Sequence, residues 1–538
     1  MTDFDDLIHE AATQDAWPNQ PPEPKSPAPE DVVPTEELPD VPTKDNGSIT
    51  NLNPAAAGAP PELLVVQPLT DVGNAEILAE IAGERLRYNQ DEGCWLAFDG
   101  KVWRNDRREL HRLYRRIIAH RYAVARSGKS LVTTEGQEIT AAEAFAWANT
   151  TASNGRIKAL LEVASSMPAF AVRAEDFDTD RWLLNCRNGT LDLRTGELRK
   201  HRAEDLITRI TKANFDPKAA CPRFRAFISQ IALRRKGLEV YIQGALGYSL
   251  SGSVQEQVLF VLVGKGANGK STLIDVFFDV LGSYAKTTPA HTFVKSESRA
   301  IRNDLARLKG ARFVSAVEIN MGKKLDEALT KRLTGGDRIT ARFLGKEFFE
   351  FLPEAKFFLA VNVNPEVSGA DDGIYRRLRI VPFDASFALE EMDKDLPNKL
   401  KEERDGILAW AFEGFQRWQA NGRLIEPECV TEACEGFREM MDTTQAFLDD
   451  CTDEDPTGRV PVGSLHDAYL AWAKASCVEP AGKNNFGKLV RQNGLKQSRV
   501  DRARYWTGVK LSQTATDRQR EKATEATGAE PEATATTE

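Results

Sequence analysis

Residues 264–271 read Gly-Lys-Gly-Ala-Asn-Gly-Lys-Ser, and no other stretch of this 538-residue chain constrains its fold so tightly. The pattern GxxxxGK[ST] follows an apolar run, Gln257 to Val263, and precedes Thr272 to Leu281, whose apolar spacing is helical. A strand, a glycine-rich loop and a helix in that order predict an α/β fold in which the loop curls its backbone N–H groups around phosphate oxygens. The helix start adds positive potential, Lys270 reaches the β- and γ-phosphates, and the Ser271 hydroxyl can ligate magnesium. The nucleotide-binding set is therefore Gly264, Lys265, Gly266, Ala267, Asn268, Gly269, Lys270, Ser271 and Thr272. The expected ligand is ATP with magnesium.

Three further apolar runs follow within about a hundred residues. Phe313-Val314-Ser315-Ala316-Val317 ends in Glu318, the acid that a strand beside a phosphate loop uses to address magnesium or the attacking water. Ile319-Asn320 come next where two adjacent acids often share those tasks, so metal positioning and water activation both stay open for Glu318. The run Lys356 to Val361 ends in Asn362, an amide that can sense a γ-phosphate; Asn364, before Pro365, reads more simply as a turn residue. Finally, Arg376-Arg377 lead into Leu378-Arg379-Ile380-Val381-Pro382. An arginine on such an edge can reach the ATP of a neighbouring subunit, and the sequence does not choose between the two.

Composition matters chiefly through how charge is distributed. The net charge of −9 argues against a nucleic-acid ligand only until it is divided. Residues 1–70 carry thirteen acids against Lys25 and Lys44, residues 513–538 carry six acids against three bases, and residues 71–512 are left at +5. Phosphate attraction depends on local patches rather than on the chain total. The Pro/Glu/Asp-rich stretch 1–71 and the Ala/Thr/Glu-rich stretch 513–538 lack clustered apolar residues and are expected to be disordered. Between them three blocks are expected: an α+β N-terminal domain over 72–250, the ATPase core over 251–385, and a helical linker with a small C-terminal domain over 386–512. In the first block, Gly93 to Trp103 alternates apolar residues around Asp99-Gly100 and predicts a β-hairpin. Residues 101–129 set ten Lys/Arg against Asp106 and Glu109, with Leu110, Leu113, Tyr114, Ile117 and Ile118 at helical spacing. That helix has either a solvated basic face or a DNA contact.

These elements together resemble superfamily 3 helicases, specifically the poxvirus-type primase-helicases found in phages and plasmids. The likeness extends over about 72–511 and includes Asn188-Gly189-Thr190-Leu191-Asp192-Leu193 and the segment around Tyr469-Leu470-Ala471-Trp472. It implies a compact P-loop (AAA+-like) core that assembles as a homo-hexameric ring and draws single-stranded or forked DNA through its channel. It also implies that Leu333 to Phe343 opens a DNA-tracking hairpin, with Arg342 and Lys346 as the DNA contacts. Independently, Ile339–Phe343 and Phe348–Leu352 are β-prone runs around Leu344-Gly345-Lys346-Glu347, which puts Lys346 near a hairpin tip. Residues 483–510 carry eight Lys/Arg against Asp501, and their helix, helix, strand pattern resembles a winged helix, a module for DNA or for replication partners.

Other readings compete with this one. A replication initiator would use the same ATPase as an assembly switch without unwinding, and a phosphotransferase or packaging ATPase could share the phosphate loop. Priming would need metal-holding acids and a histidine; Asp176-Phe177-Asp178 with His201 match that only superficially. The seven cysteines and six histidines are scattered without metal-ligand spacing, and are expected to be reduced and structural. No apolar run approaches membrane-spanning length, so a cytosolic protein without a membrane partner is expected.

Overall fold

The computed structural model describes residues 63–295, 302–317, 324–367, 372–388, 393–441, 443–476, 480, 482–500 and 503–513. The expectations for residues 1–62 and 514–538, and for Glu318, Cys477 and Arg502, lie outside these residues; residues 63–71, counted in the disordered stretch, are instead ordered, because Leu63–Val66 pairs in parallel with Ser130–Thr133 and Thr70 caps the helix that starts at Asp71.

Strand β1 (Leu63–Val66) leads to helix α1 (Asp71–Ala82), whose first turn is capped by the Thr70 side chain accepting from Gly73 N. Strands β2 (Leu86–Asn89), β3 (Cys94–Phe98) and β4 (Trp103–Arg104) follow. The predicted hairpin is present: β3 and β4 pair antiparallel, and Asp99 Oδ1 accepts from the amides of Lys101 and Val102 to turn the chain. The basic helix is also present as α2 (Arg107–Ala125), capped by Asp106 and buried along Leu113, Tyr114 and Ile117. Strands β5 (Ser130–Thr133) and β6 (Glu138–Ile139) come next, then α3 (Ala141–Thr151), α4 (Asn154–Ser165) and β7 (Ala171–Val172). Helix α3 starts with a reciprocal capping box between Thr140 and Glu143. A polar knot closes this module: Arg121, 1% exposed, donates to Asn74 Oδ1 and to the carbonyls of Gln67 and Pro68.

The chain continues through a small antiparallel sheet of β8 (Leu183–Cys186), β9 (Gly189–Asp192) and β10 (Glu197–Arg199), then α5 (Pro222–Ile231) and α6 (Lys236–Tyr248). Next comes the central sheet region: β11 (Leu259–Val263), α7 (Lys270–Leu281), β12 (Ala285–Thr287), the short α8 (Asn303–Ala306), β13 (Phe313–Val317) and α9 (Glu327–Gly335). It continues with β14 (Ile339–Ala341), β15 (Phe349–Phe351), β16 (Lys356–Val361), one turn of helix α10 (Asp372–Tyr375) and β17 (Leu378–Pro382). Five of these strands form one parallel sheet in the order β12-β13-β16-β11-β17. The protein is therefore a mixed α/β fold built on a parallel sheet.

Both faces of that sheet are covered, which is why its strands read as continuous apolar runs rather than as alternating ones. Phe260, Leu262, Phe358 and Ala360 pack on one side against α5, α6 and α7, and against α11 (Leu396–Glu402) and α12 (Arg404–Asn421). Leu259, Val261, Phe357 and Leu359 pack on the other against α9, Ile374 and Phe437 of α13 (Glu428–Met441). The first of these cores joins residues from 184 to 430, so the helices before and after the sheet share one apolar interior with it.

The C-terminal module has its own core around Phe447, Tyr469, Trp472, Phe486 and Trp506. Its order is α14 (Thr443–Cys451), β18 (Thr452–Pro461), α15 (Val462–Ala475), α16 (Lys483–Gln492), β19 (Lys496–Val500) and β20 (Ala503–Leu511), with the sheet ordered β18-β20-β19.

Candidate functional site

The glycine-rich segment turns the chain between β11 and α7 at the carboxyl-terminal edge of the parallel sheet, where ligands of open α/β folds bind. Two of its glycines are required by close packing. Gly269 holds φ at +85° as the N-cap of α7, and a Cβ there would lie 2.5 Å from Ile231 Cγ2. A Cβ on Gly264 would overlap Asn268 Nδ2 and the Phe383 carbonyl. Ala267, with a side chain, is nevertheless held at φ +48°, a local strain of the kind found at functional loops. No side chain caps α7, so the loop keeps its N-terminal amides for another acceptor.

Lys270 is 6% exposed and donates to Gly264 O at 2.6 Å and to Asn268 Oδ1 at 3.0 Å. Burial pushes its ammonium below the ordinary lysine range. Asn268 in turn donates to Phe383 O at 3.1 Å, and Phe387 N donates to Ala267 O at 3.1 Å, so the stretch beyond β17 braces the loop from outside. Lys265 and Ser271 are exposed and Thr272 is half-buried.

Asn362 leaves the same edge one strand away, because Val263 and Val361 are register partners and Gly264 N donates to Val361 O at 3.2 Å. Its side chain is exposed, whereas Asn364 is half-buried. Glu318 is the residue after Val317, which pairs with Ala360 at this edge, but it lies outside the described residues.

Arg376 and Arg377 are not brought to the loop. Leu378 pairs with Leu259 at the opposite end of β11, so both arginines stand at the amino-terminal edge, on the order of 15 Å away along the strands. The two differ sharply. Arg377 is 9% exposed and donates to Gly373 O at 2.7 Å and to Gln257 Oε1 at 3.3 Å, while Arg376 is exposed.

β14 and β15 form the expected antiparallel hairpin, with Ile339 opposite Phe351. Lys346 N donates to Phe343 O at 3.0 Å and Gly345 has φ +73°, so Lys346 closes the tip turn and is exposed. Arg342 lies with its guanidinium 4.5 Å from the Phe348 ring centroid. Sequence reasoning did not single out the apolar residues here: Phe343, Leu344 and Phe348 are 45%, 75% and 62% exposed. The signal was available as bulky apolar residues flanking a Gly-Lys turn. Behind them, Lys309 Nζ sits 5.6 Å from the Phe349 ring and 3.8 Å from Glu92.

The superficial priming match has structural partners. Asp178 accepts from the Thr208 amide and hydroxyl, Asp176 from Arg173 N, and His201 Nδ1 shares a hydrogen bond with Asn185. Among the described residues no group of three or more His, Cys, Asp or Glu is placed to hold a metal ion. Their cysteines are all free, and none of their helices is long and apolar enough to cross a membrane.

Known proteins place this architecture more narrowly. Residues 75–232 match the family described as D5 N terminal like, 439–517 match Poxvirus D5 protein-like, and 262–377 match a family of unknown function. "Putative helicase L207/L206" of Acanthamoeba polyphaga mimivirus is 30% identical over 354 residues, covering 61% of this chain and 36% of that protein. "Putative helicase 022R" of Frog virus 3 is 24% identical over 51% of this chain and 30% of its own length. "Putative primase C962R" of African swine fever virus (strain Badajoz 1971 Vero-adapted) is 24% identical over 56% and 34%. The chain thus spans about a third of the length of these relatives. Among solved structures, the apo C-terminal region (305–718) of NrS-1 aligns at 9% identity and TM-score 0.44, over 81% of this chain and 99% of that one. The sheet itself defines the class, a mixed α/β protein on a parallel sheet. More particularly, residues 75–232 and 439–517 match domain models of the poxvirus D5 type, and the relatives matched are named as helicases and primases of large DNA viruses.

Proposed function

We propose that this chain is the ATP-driven helicase of a DNA-replication apparatus, of superfamily 3 type, working as a homo-hexameric ring on single-stranded or forked DNA. The observation that carries the reading is the glycine-rich loop at the carboxyl edge of the parallel sheet, with Lys270 inside it and Asn362 just beyond the end of the adjoining strand. The strand order β17-β11-β16-β13-β12 supports the reading of an AAA+-like P-loop core, and the sequence of elements from α14 to β20 supports that of a winged helix.

Magnesium-ATP bound at this loop would supply phosphoanhydride hydrolysis as the energy source. The chain's own residues fit a triphosphate. Gly264 and Gly269 leave no room for side chains, so the backbone from Lys265 to Thr272 curls tightly enough for its amides to face phosphate oxygens. Lys270 exchanges the Gly264 carbonyl and Asn268 for the β- and γ-phosphates, and its partial burial strengthens that attraction. The Ser271 hydroxyl and the Glu318 carboxylate would hold the metal, and Asn362 would read the γ-phosphate. Since Arg376 and Arg377 stand at the far edge, an arginine acting on ATP would come from the adjacent subunit. Lys346 and Arg342 at the β14–β15 tip would attract strand phosphates without reading bases. The winged-helix-like module would meet replication partners.

The test is strand displacement on forked DNA with ATP and magnesium, comparing the wild type with Lys270→Ala. We expect ATP turnover and unwinding to fall at least about 100-fold in the variant, with DNA binding retained. A wild type that hydrolyses ATP and binds duplex but never separates strands would replace the motor reading with that of a replication initiator.

A further inference from the structure

Helix α2 buries one side and crowds the other with arginine. Leu113, Tyr114 and Ile117 are buried, while Arg107, Arg108, Arg112, Arg115 and Arg116 are all exposed. At about 100° per residue, these five share roughly half the helix circumference, over a length of about 13 Å. Arg112 has a partner, an ion pair with Glu109 at 2.5 Å. The other four make no ion pair among the described residues. Helix stability does not ask for this arrangement, because cations in the first turn, where Arg107 and Arg108 sit, oppose the helix dipole.

The chemistry of this face differs from that of the β14–β15 hairpin. The hairpin offers cations interleaved with exposed Phe343 and Phe348, which suits a single strand whose bases can stack on rings. Along α2 from Arg107 to Ile118 there is no Phe or Trp, Tyr114 is buried, and the one exposed ring is the His111 imidazole. Five guanidinium forks around a single imidazole favour phosphate oxygens over bases. A duplex hides its bases and presents a dense row of phosphates.

We infer that the outer face of α2 is a second nucleic-acid surface, which grips the phosphate backbone of double-stranded DNA. On the motor reading above, on which this inference rests for its biological setting, α2 would hold the unopened arm of a fork while the hairpin engages the separated strand.

The experiment uses the full chain without nucleotide and a variant carrying Arg107→Gln, Arg108→Gln, Arg115→Gln and Arg116→Gln. Binding to a short blunt duplex and to a single strand of equal length is titrated across a range of salt. For the duplex we expect the variant to bind about tenfold or more weakly at low salt. Its log–log salt slope should shrink by about two to four, near one for each phosphate that no arginine neutralises any longer. Single-strand binding should stay within about twofold. A second variant with lysine at the same four positions should recover most of the slope, since charge is kept and only the planar fork is removed. An unchanged duplex slope in the glutamine variant overturns the inference. So does an equal loss on duplex and single strand, and so does an altered assembly state by sedimentation with duplex binding intact, which would make α2 a protein contact. The motor reading fails separately. A wild type that turns over no ATP but shows the arginine-dependent duplex slope keeps the α2 surface and loses the helicase.

Discussion

Two buried lysines stand at opposite edges of the same parallel sheet, and their surroundings separate a site from a scaffold. Lys270, at the carboxyl edge, is 6% exposed and has two acceptors within its own loop, beside a helix start that no side chain caps. Lys356, at the amino edge, is 2% exposed and donates to the carbonyls of Ser251, Ser253 and Glu354, with its ammonium 5.0 Å from the Tyr248 ring centroid. Arg312 beside it donates to Leu250 O and Leu183 O. The amino edge thus uses its cations to tie strands β13 and β16 to the segments that precede the sheet. The same residue type serves both edges; what differs is whether its acceptors come from distant, rigid parts of the chain or from a loop free to exchange them.

The arginine pair is the sharpest way to break this division, because it puts an exposed cation on the scaffold edge. If Arg376 acts on a neighbouring subunit's nucleotide, Arg376→Ala should lower ring-dependent ATP turnover by about 1,000-fold or more while changing unfolding free energy by under about 0.5 kcal/mol. Arg377→Ala should instead cost about 1–3 kcal/mol of stability, since Gly373 O and Gln257 lose their donor. Paired denaturant melts and turnover assays on the assembled protein decide the matter. A variant pattern the other way round would hand the trans role to Arg377, and two variants with normal turnover would leave this edge wholly structural.

Stability also tests the lysines themselves. Lys356→Ala strands three carbonyls and opens a void beside the half-buried Glu354, so a loss of about 3–5 kcal/mol is expected in urea unfolding. Lys270→Ala should cost under about 1 kcal/mol, because its two partners lie in a loop that can relax toward solvent. Equal losses would erase the distinction between the edges.

How far this was legible in the sequence follows from where the partners lie. Strands β11, β13 and β16 are plain as apolar runs, and the hairpin turn at Lys346 is readable from Leu-Gly-Lys-Glu between β-prone segments. Helix α7 starts at Lys270 rather than Thr272, because the positive φ of Gly269 starts the helix directly after it. Arg121 falls on the buried stripe of α2 with Ile117 and Val124, a helical spacing that could have flagged it. Lys356 gives no such sign: its acceptors at Ser251 and Ser253 lie about a hundred residues away, and only the assembled sheet brings them together. Nor does local pattern separate Arg376 from Arg377, since burial there depends on Gln257 just ahead of another strand.

The smallest expected effect is a slope rather than a loss. Burial holds the Lys356 ammonium well below the ordinary lysine range, and holds Lys270 below it as well. Between each depressed folded pKa and the ordinary value near 10.4, the unfolded chain binds a proton that the folded chain does not, so stability rises with pH there. Tyr248 and Tyr284 are pushed up by burial and give the opposite slope above about pH 10, but they are common to all variants and cancel in a difference. Unfolding free energy measured from about pH 8 to pH 10 should therefore climb less steeply in Lys356→Met than in the wild type, with Lys270→Ala between the two. If Lys270→Ala flattens the curve more than Lys356→Met does, the loop lysine is the more strongly desolvated of the pair, and the carboxyl edge is as rigid as the edge opposite it.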